Sequence, residues 1–238
     1  MKRFYKDAGV EADRDGWRVL LDGKPMRTPA RAVLVVPTRT LAEAIAEEWR
    51  AVPGNAEINA GHLPLTRLAA TGLDRVTRQR ARVVEDTAKY AASDLLCYRA
   101  ADPDSLVKRQ QDVWQPLLDW AATRYGAELA PTTGMSFVAQ PQVALDRLAA
   151  AVAAHGDLAL SALYNLTQIA GSLVIALAVA ENRLAADKAF EAAQLDELYQ
   201  IERWGEDPLA TQRHAGIRKD IESAARFLAL LEESRLGR

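Results

Sequence analysis

The segment LDELYQIERWGED, Leu195 to Asp207, sets five carboxylates (Asp196, Glu197, Glu202, Glu206 and Asp207) among apolar residues at helical spacing. At about 100° per residue, Leu195, Leu198, Tyr199 and Glu202 share one face, with Glu202 in its middle. Phe190, Ile201 and Trp204 form a second face that includes Glu197, and Asp196, Gln200 and Arg203 fill the polar sector. The pattern predicts Glu197 and Glu202 where apolar residues belong. A buried carboxylate without a partner is strongly disfavoured, so each acid requires a cation, a raised pKa or a ligand on another molecule. Two acids could also work as general acid and base, as in glycoside cleavage. Nothing else in the chain supports a sugar cleft, and Trp114 and Trp120 in VWQPLLDW read as helix core.

Other chemistries lack their residues. There is no GxxxxGK[ST] or GxGxxG phosphate loop and no GxSxG elbow. Cys97 is the single cysteine, in DLLCYR, with no histidine beside it to activate it, and it reads as a small core residue. His62, His155 and His214 are scattered without metal-ligand spacing. No catalytic residue, metal, nucleotide or other cofactor is therefore expected. Arg75, Arg78 and Arg82 share a helix face, with Arg67 and Arg80 nearby, but Asp74, Glu85 and Asp86 interleave and stacking aromatics are lacking. That face reads as salt-bridged or solvated more readily than as a grip on nucleic acid, and it could supply the cation for one of the acids.

The 238 residues are 49% hydrophobic and 26% charged, an ordinary globular composition, and the formal net charge of −2 gives no global field favouring polyanions. The start, MKRFYKDAGVEADRDG, has no apolar stretch and carries acids early, which predicts a cytosolic chain without signal or transit peptide. Leu158 to Ala180 is uncharged, but Asn165, Thr167, Gln168 and Ser172 interrupt it. The remaining IAGSLVIALAVA is shorter than the roughly 20 residues of a membrane span, so a buried central helix is expected.

The elements that must position these groups divide in two. WRVLLDGKPMRTP predicts a hairpin about Asp22-Gly23, AVLVV a third strand stopped by Pro37, and TRTLAEAIAEEWRA a helix capped by Thr38 with Leu41, Ile45 and Trp49 on one face. From Pro64 the pattern is helical nearly to the end, with Gly126, Gly156 and Gly205 as stops and Asp187 and Asp207 as caps. The stretches from Asp157 to Arg183 and from Ala185 to Gly205 each read as one helical unit, with Gly171-Ser172 inside the first. The expected fold class is α+β: a small β-rich domain over residues 1–75 and a larger all-helical domain over 76–238.

As a set, RFYKDAGV, WRVLLDGKPMRTP, LVVPTRTLAEAIAEEW, LPLTRLAATGLDRV, SDLLCYRA, VWQPLLDWA, GSLVIALAVA and LDELYQIERWGED resemble the ATP-twelve family, assembly chaperones that bind the α subunit of the ATP synthase catalytic sector. The resemblance spans nearly the whole chain. It implies a small α+β domain before a helical one, no catalysis, and binding of the free α subunit so that its β-subunit-facing surface stays covered until the β subunit takes over. With no transit peptide, the chain looks like a bacterial, cytoplasmic relative without membrane insertion. The family's functionally important acid maps to Glu202, with Glu197, Trp204, Glu206 and Asp207 as its partner-binding neighbours. A small-molecule enzyme with paired carboxylates and a nucleic-acid adaptor built on Arg67 to Arg82 stand as the alternative classes.

Overall fold

The computed structural model describes residues 2–54, 57–134, 136–205 and 207–232. β1 (Ala8–Asp13) and β2 (Gly16–Leu21) pair antiparallel with Val10 opposite Val19. The Asp22-Gly23 turn returns the chain into β3 (Lys24–Pro25), and β4 (Val35–Val36) takes the other end of the same β2 edge, at Trp17 and Arg18. The hairpin and the strand before Pro37 match the sequence pattern; β1 is an element the pattern did not announce.

Thr38 caps α1 (Arg39–Ala51), its Oγ1 accepting from the Leu41 N–H at 3.1 Å, and Leu41, Ile45 and Trp49 are buried where α1 packs on β1 and β2. Glu48 of α1 in turn serves α2 (Pro64–Thr71): its carboxylate accepts from the N–H groups of Leu65 and Thr66 at 2.6 and 2.9 Å, donors left open at a helix start. A wider π-helical turn, Gly72–Val76, leads into α3 (Thr77–Ala88), whose backbone departs from helical at Gln79.

The helical part continues with α4 (Asp104–Tyr125), α5 (Gln142–Ala153), α6 (Asp157–Ala170), α7 (Leu173–Ala180), α8 (Ala186–Ala193), α9 (Leu195–Trp204) and α10 (Pro208–Glu232). β5 (Tyr98–Arg99) and β6 (Thr132–Thr133) make a short parallel pair. The fold is thus a small sheet region followed by a mostly helical body.

Two long units of the sequence reading are each broken. Gly171, at φ +64°, adopts a left-handed turn that separates α6 from α7, and Ser172 opens α7 by accepting from the Ile175 N–H at 3.0 Å. Gln194, at φ −111° and ψ 18°, separates α8 from α9. Asp187 lies in the first turn of α8 rather than at its cap, Ala185, and Gly156 precedes α6. All eight residues of α7 are buried, and no described helix is long and apolar enough to cross a membrane.

The break at Gly171 is organised by an acid. Asp94 is fully buried, and its carboxylate accepts from the N–H of Leu96 and of Val174, each at 3.1 Å, while the Leu95 N–H donates to the Gly171 carbonyl at 3.0 Å. Burial pushes the Asp94 carboxyl up to about 6 despite these bonds and that of Ser172.

Two compact units result. One comprises Met1–Arg80, Gly156–Ala162 and Arg226–Arg238, with Val19, Leu34, Leu41, Ile45, Leu65 and Leu160 in its core; the other comprises Ala81–His155 and Leu163–Ala225, around Leu96, Trp114, Leu148, Leu163, Leu166 and Phe190. In the first, the Thr38 hydroxyl donates to the Leu230 carbonyl at 2.8 Å and the Ser161 hydroxyl to the Leu68 carbonyl at 2.9 Å.

Candidate partner-binding site

α8 and α9 are held on α4 by two buried polar side chains. The Trp114 indole N–H donates to the Ala192 carbonyl at 2.9 Å. Gln110 donates through Nε2 to Asp196 at 2.7 Å and accepts the Ala100 N–H at 2.8 Å, so one amide fixes both the start of α9 and the chain after β5. An amide with donor and acceptor both engaged tolerates burial.

Along α9 the apolar stripe runs out. Leu195 and Tyr199 are 3% and 4% exposed, whereas Trp204 is 78% exposed. Tyr199 is the last buried residue of the helix. Its hydroxyl shares a 2.5 Å hydrogen bond with Ser105 Oγ, which also accepts from Arg203 at 2.9 Å. The guanidinium carbons of Arg109 and Arg203 stand 5.2 and 4.8 Å from its ring centre, within cation–π range.

Glu202 continues that stripe into water. Its carboxylate accepts two parallel hydrogen bonds from Arg109 of α4, at 2.7 and 2.8 Å, and its side chain is 57% exposed. The expectation of a buried Glu202 is therefore corrected. A ten-residue helix buries only its first half here, so helical phase alone overstates the depth of its last turn. The guanidinium holds the carboxyl of Glu202 below the usual carboxylate range. A carboxylate so held keeps no proton to donate near neutral pH, which argues against it as a general acid. The cation also differs from the one considered in the sequence: it is Arg109, while Arg80 pairs with Asp157 at 2.5 Å and Arg82 with Asp86 at 3.7 Å.

Glu197, half-buried, meets α10. Its Oε2 contacts Arg213 and lies 2.8 Å from Nε2 of His214, whose ring packs edge-on to Phe190. The Arg218 guanidinium covers the same Phe190 ring at 4.0 Å. Asp207 is exposed and caps α10, its side chain accepting from the Ala210 N–H at 3.3 Å and its carbonyl from the Thr211 N–H at 2.9 Å. Glu206 lies outside the described residues. On either side of this turn, Trp204 and Leu209 are exposed at 78% and 75%.

Glu202 and Trp204 both lie in the last turn of α9, two positions apart and so on different sides of the helix, Asp207 lies on the turn that follows, and Glu197 is tied to the packing of α10. Sequence reasoning missed Arg109, Ser105 and Leu209. Arg109 lies 93 positions from Glu202, and spacing within α4 carries no mark of a partner that distant. Leu209 was legible as an apolar residue directly after a cap and a proline.

Comparison with known proteins gives concordant matches. Residues 2–122 match the family described as ATP12 chaperone protein. The mitochondrial protein atp12 of Schizosaccharomyces pombe is 21% identical over 215 residues, covering 86% of this chain and 74% of that protein. The crystal structure of Atp12 from Paracoccus denitrificans superposes with a TM-score of 0.89 at 40% identity, covering 97% of this chain and 98% of that one. The Atu1473 protein of Agrobacterium tumefaciens superposes with a TM-score of 0.91, also at 40% identity, over 97% of this chain and 86% of its own.

Proposed function

The chain belongs to the ATP12 chaperone family, non-enzymatic assembly factors of the ATP synthase, and from that premise we propose that it binds the free α subunit and covers its β-subunit-facing surface until the β subunit displaces it. The observation that carries this reading is the end of α9, where Trp204 and Leu209 expose apolar area on either side of the turn into α10, with Glu202 in the last turn of α9 and Asp207 in that connecting turn. A solvent-facing tryptophan is the type of anchor that protein interfaces use. The acids beside it add selectivity, because a partner without cations opposite them leaves them desolvated and unpaired. Glu202, Trp204, Glu206 and Asp207 are the proposed contacts, with Glu197 setting the position of α10 behind them.

Such a chaperone needs no nucleotide, since a tighter-binding β subunit is sufficient to displace it. Its bacterial relatives favour a bacterial cytoplasm as its place of action. Light scattering from unfolding-prone α subunit, with and without a stoichiometric amount of this protein and in the absence of nucleotide, tests the reading. Suppressed scattering is expected; equal scattering in both samples refutes it.

A further inference from the structure

The charge of Glu202 is already matched before any partner arrives. Among the described residues Arg109 of α4 is the only cation that meets it, through the two parallel hydrogen bonds at 2.7 and 2.8 Å. Both side chains remain in water, 38% and 57% exposed. Glu197, by contrast, is fixed between Arg213 and the buried His214 in the packing of α10. The Glu202 pair can therefore open without disturbing the core. Arg109 also has a second place to rest. Its guanidinium carbon stands 5.2 Å from the centre of the Tyr199 ring, and that ring is fixed by burial and by the 2.5 Å hydrogen bond of its hydroxyl to Ser105. Arg203, the other cation at this ring, is tied to Ser105 Oγ at 2.9 Å and makes no use of Glu202. Released from the carboxylate, Arg109 keeps its ring contact and its water.

A cation that approaches Glu202 from outside has two routes. It displaces Arg109 from the carboxylate, or it takes the remaining lone pairs and stands beside a like charge. By either route Arg109 weakens the new contact. We propose that Arg109 is a built-in competitor for the client, holding Glu202 in the free protein and yielding it to an arginine or lysine of the α subunit on docking. The inference rests on the chaperone reading above and concerns how its acidic contact is controlled. An exposed pair costs little to break, so the competitor lowers affinity only modestly. Its larger effect is on selection. A partner that offers positive charge alone gains little from an acid already paired, whereas one that also seats Trp204 holds its cation close to the carboxylate and can take it over. The lowered affinity also eases displacement by the β subunit.

Titration calorimetry of the α subunit against four full-length proteins provides the test: the wild type, Arg109→Met, Glu202→Gln and the double variant. Methionine keeps an unbranched stem over the Tyr199 ring and removes the charge. Arg109→Met is expected to bind about threefold more tightly than the wild type, the worth of one exposed ion pair. In the Glu202→Gln background the same change is expected to make no difference. Should Arg109→Met melt well below the wild type, Arg109→Gln replaces it with the same expectation. Weaker or unchanged binding in the uncharged variant overturns the proposal, and so does equal tightening with and without Glu202; both leave the chaperone reading intact. Wild-type affinity in Glu202→Gln overturns it as well, because the carboxylate is then not a contact. A wild-type protein that does not bind the α subunit at all fails the chaperone reading itself, and this proposal with it.

Discussion

Arg109 and Glu202, 93 positions apart, close a two-pronged ion pair across α4 and α9 while both remain open to water. Their exposure decides what the pair is for. An exposed pair is screened and contributes little to folding, so its geometry matters chiefly for how it presents charge and for how Arg109 covers the Tyr199 ring. Glu202→Gln is expected to melt with the wild type while its suppression of α-subunit aggregation declines. The two should be measured on one preparation. A large loss of melting temperature, or unchanged protection, contradicts the assignment. The pH dependence follows the same sign: Arg109 depresses the Glu202 carboxyl, so the pair persists through mildly acidic pH. Its small stabilisation is lost only as pH falls through the depressed folded-state value.

Gln110 positions α9 and does not touch the solvent-facing end. Gln110→Leu keeps the volume but leaves the Ala100 N–H and the Asp196 carboxylate without their partner. Orphaning a buried donor costs about 1–3 kcal/mol, so chemical denaturation should register a loss of that order. A variant as stable as the wild type contradicts the bridging role.

Asp94 gives a pH dependence of opposite sign to that of Glu202. Its carboxyl, about 6 in the folded protein against an ordinary 3.8, holds its proton more tightly when folded than when unfolded. Between these two values the native state binds the extra proton, so this group makes stability fall as pH rises from about 4 to about 6 and adds no further slope above that. Asp94→Asn should remove this slope. It should also destabilise the protein at neutral pH by roughly 3 kcal/mol, since an amide N–H₂ replaces one acceptor facing the start of α7. Urea titrations at pH 4.5, 5.5 and 7 on both proteins decide it, and parallel pH profiles overturn it.

Much of this was legible from residue order, and the failures share a cause. The Asp22-Gly23 hairpin, the Thr38 cap and the apolar face of α1 are local, and neighbouring residues specify them. β1 was missed because the alternating face of AGVEAD is only Ala8, Val10 and Ala12, too small an apolar signal to announce a strand; pairing with β2 defines it. The break at Gly171 was missed because LVIALAVA is apolar on all sides, so helical phase gives no signal, while the turn is set by Asp94 some eighty positions earlier. At the end of α9 the acids were legible, but their exposure was not, since depth depends on where the start of α4, with Ser105 and Arg109, meets α9.

Trp204 separates a structural from a recognition role most cleanly. A tryptophan 78% exposed contributes little to its own fold, because the area it would otherwise bury is still in water. Gly205 follows it at φ +90° and ends α9, and Leu209 stands exposed on the far side of the Asp207 cap. Trp204→Ala should therefore melt within a degree or two of the wild type, as surface substitutions usually do. If Trp204 anchors the client, truncating it removes about 2 kcal/mol of binding, near a thirtyfold rise in Kd. Titration calorimetry with the α subunit reads that change directly. Leu209→Ala should give a smaller loss, and the two should couple, since both border one turn. Unchanged affinity in Trp204→Ala would move the client surface away from the end of α9.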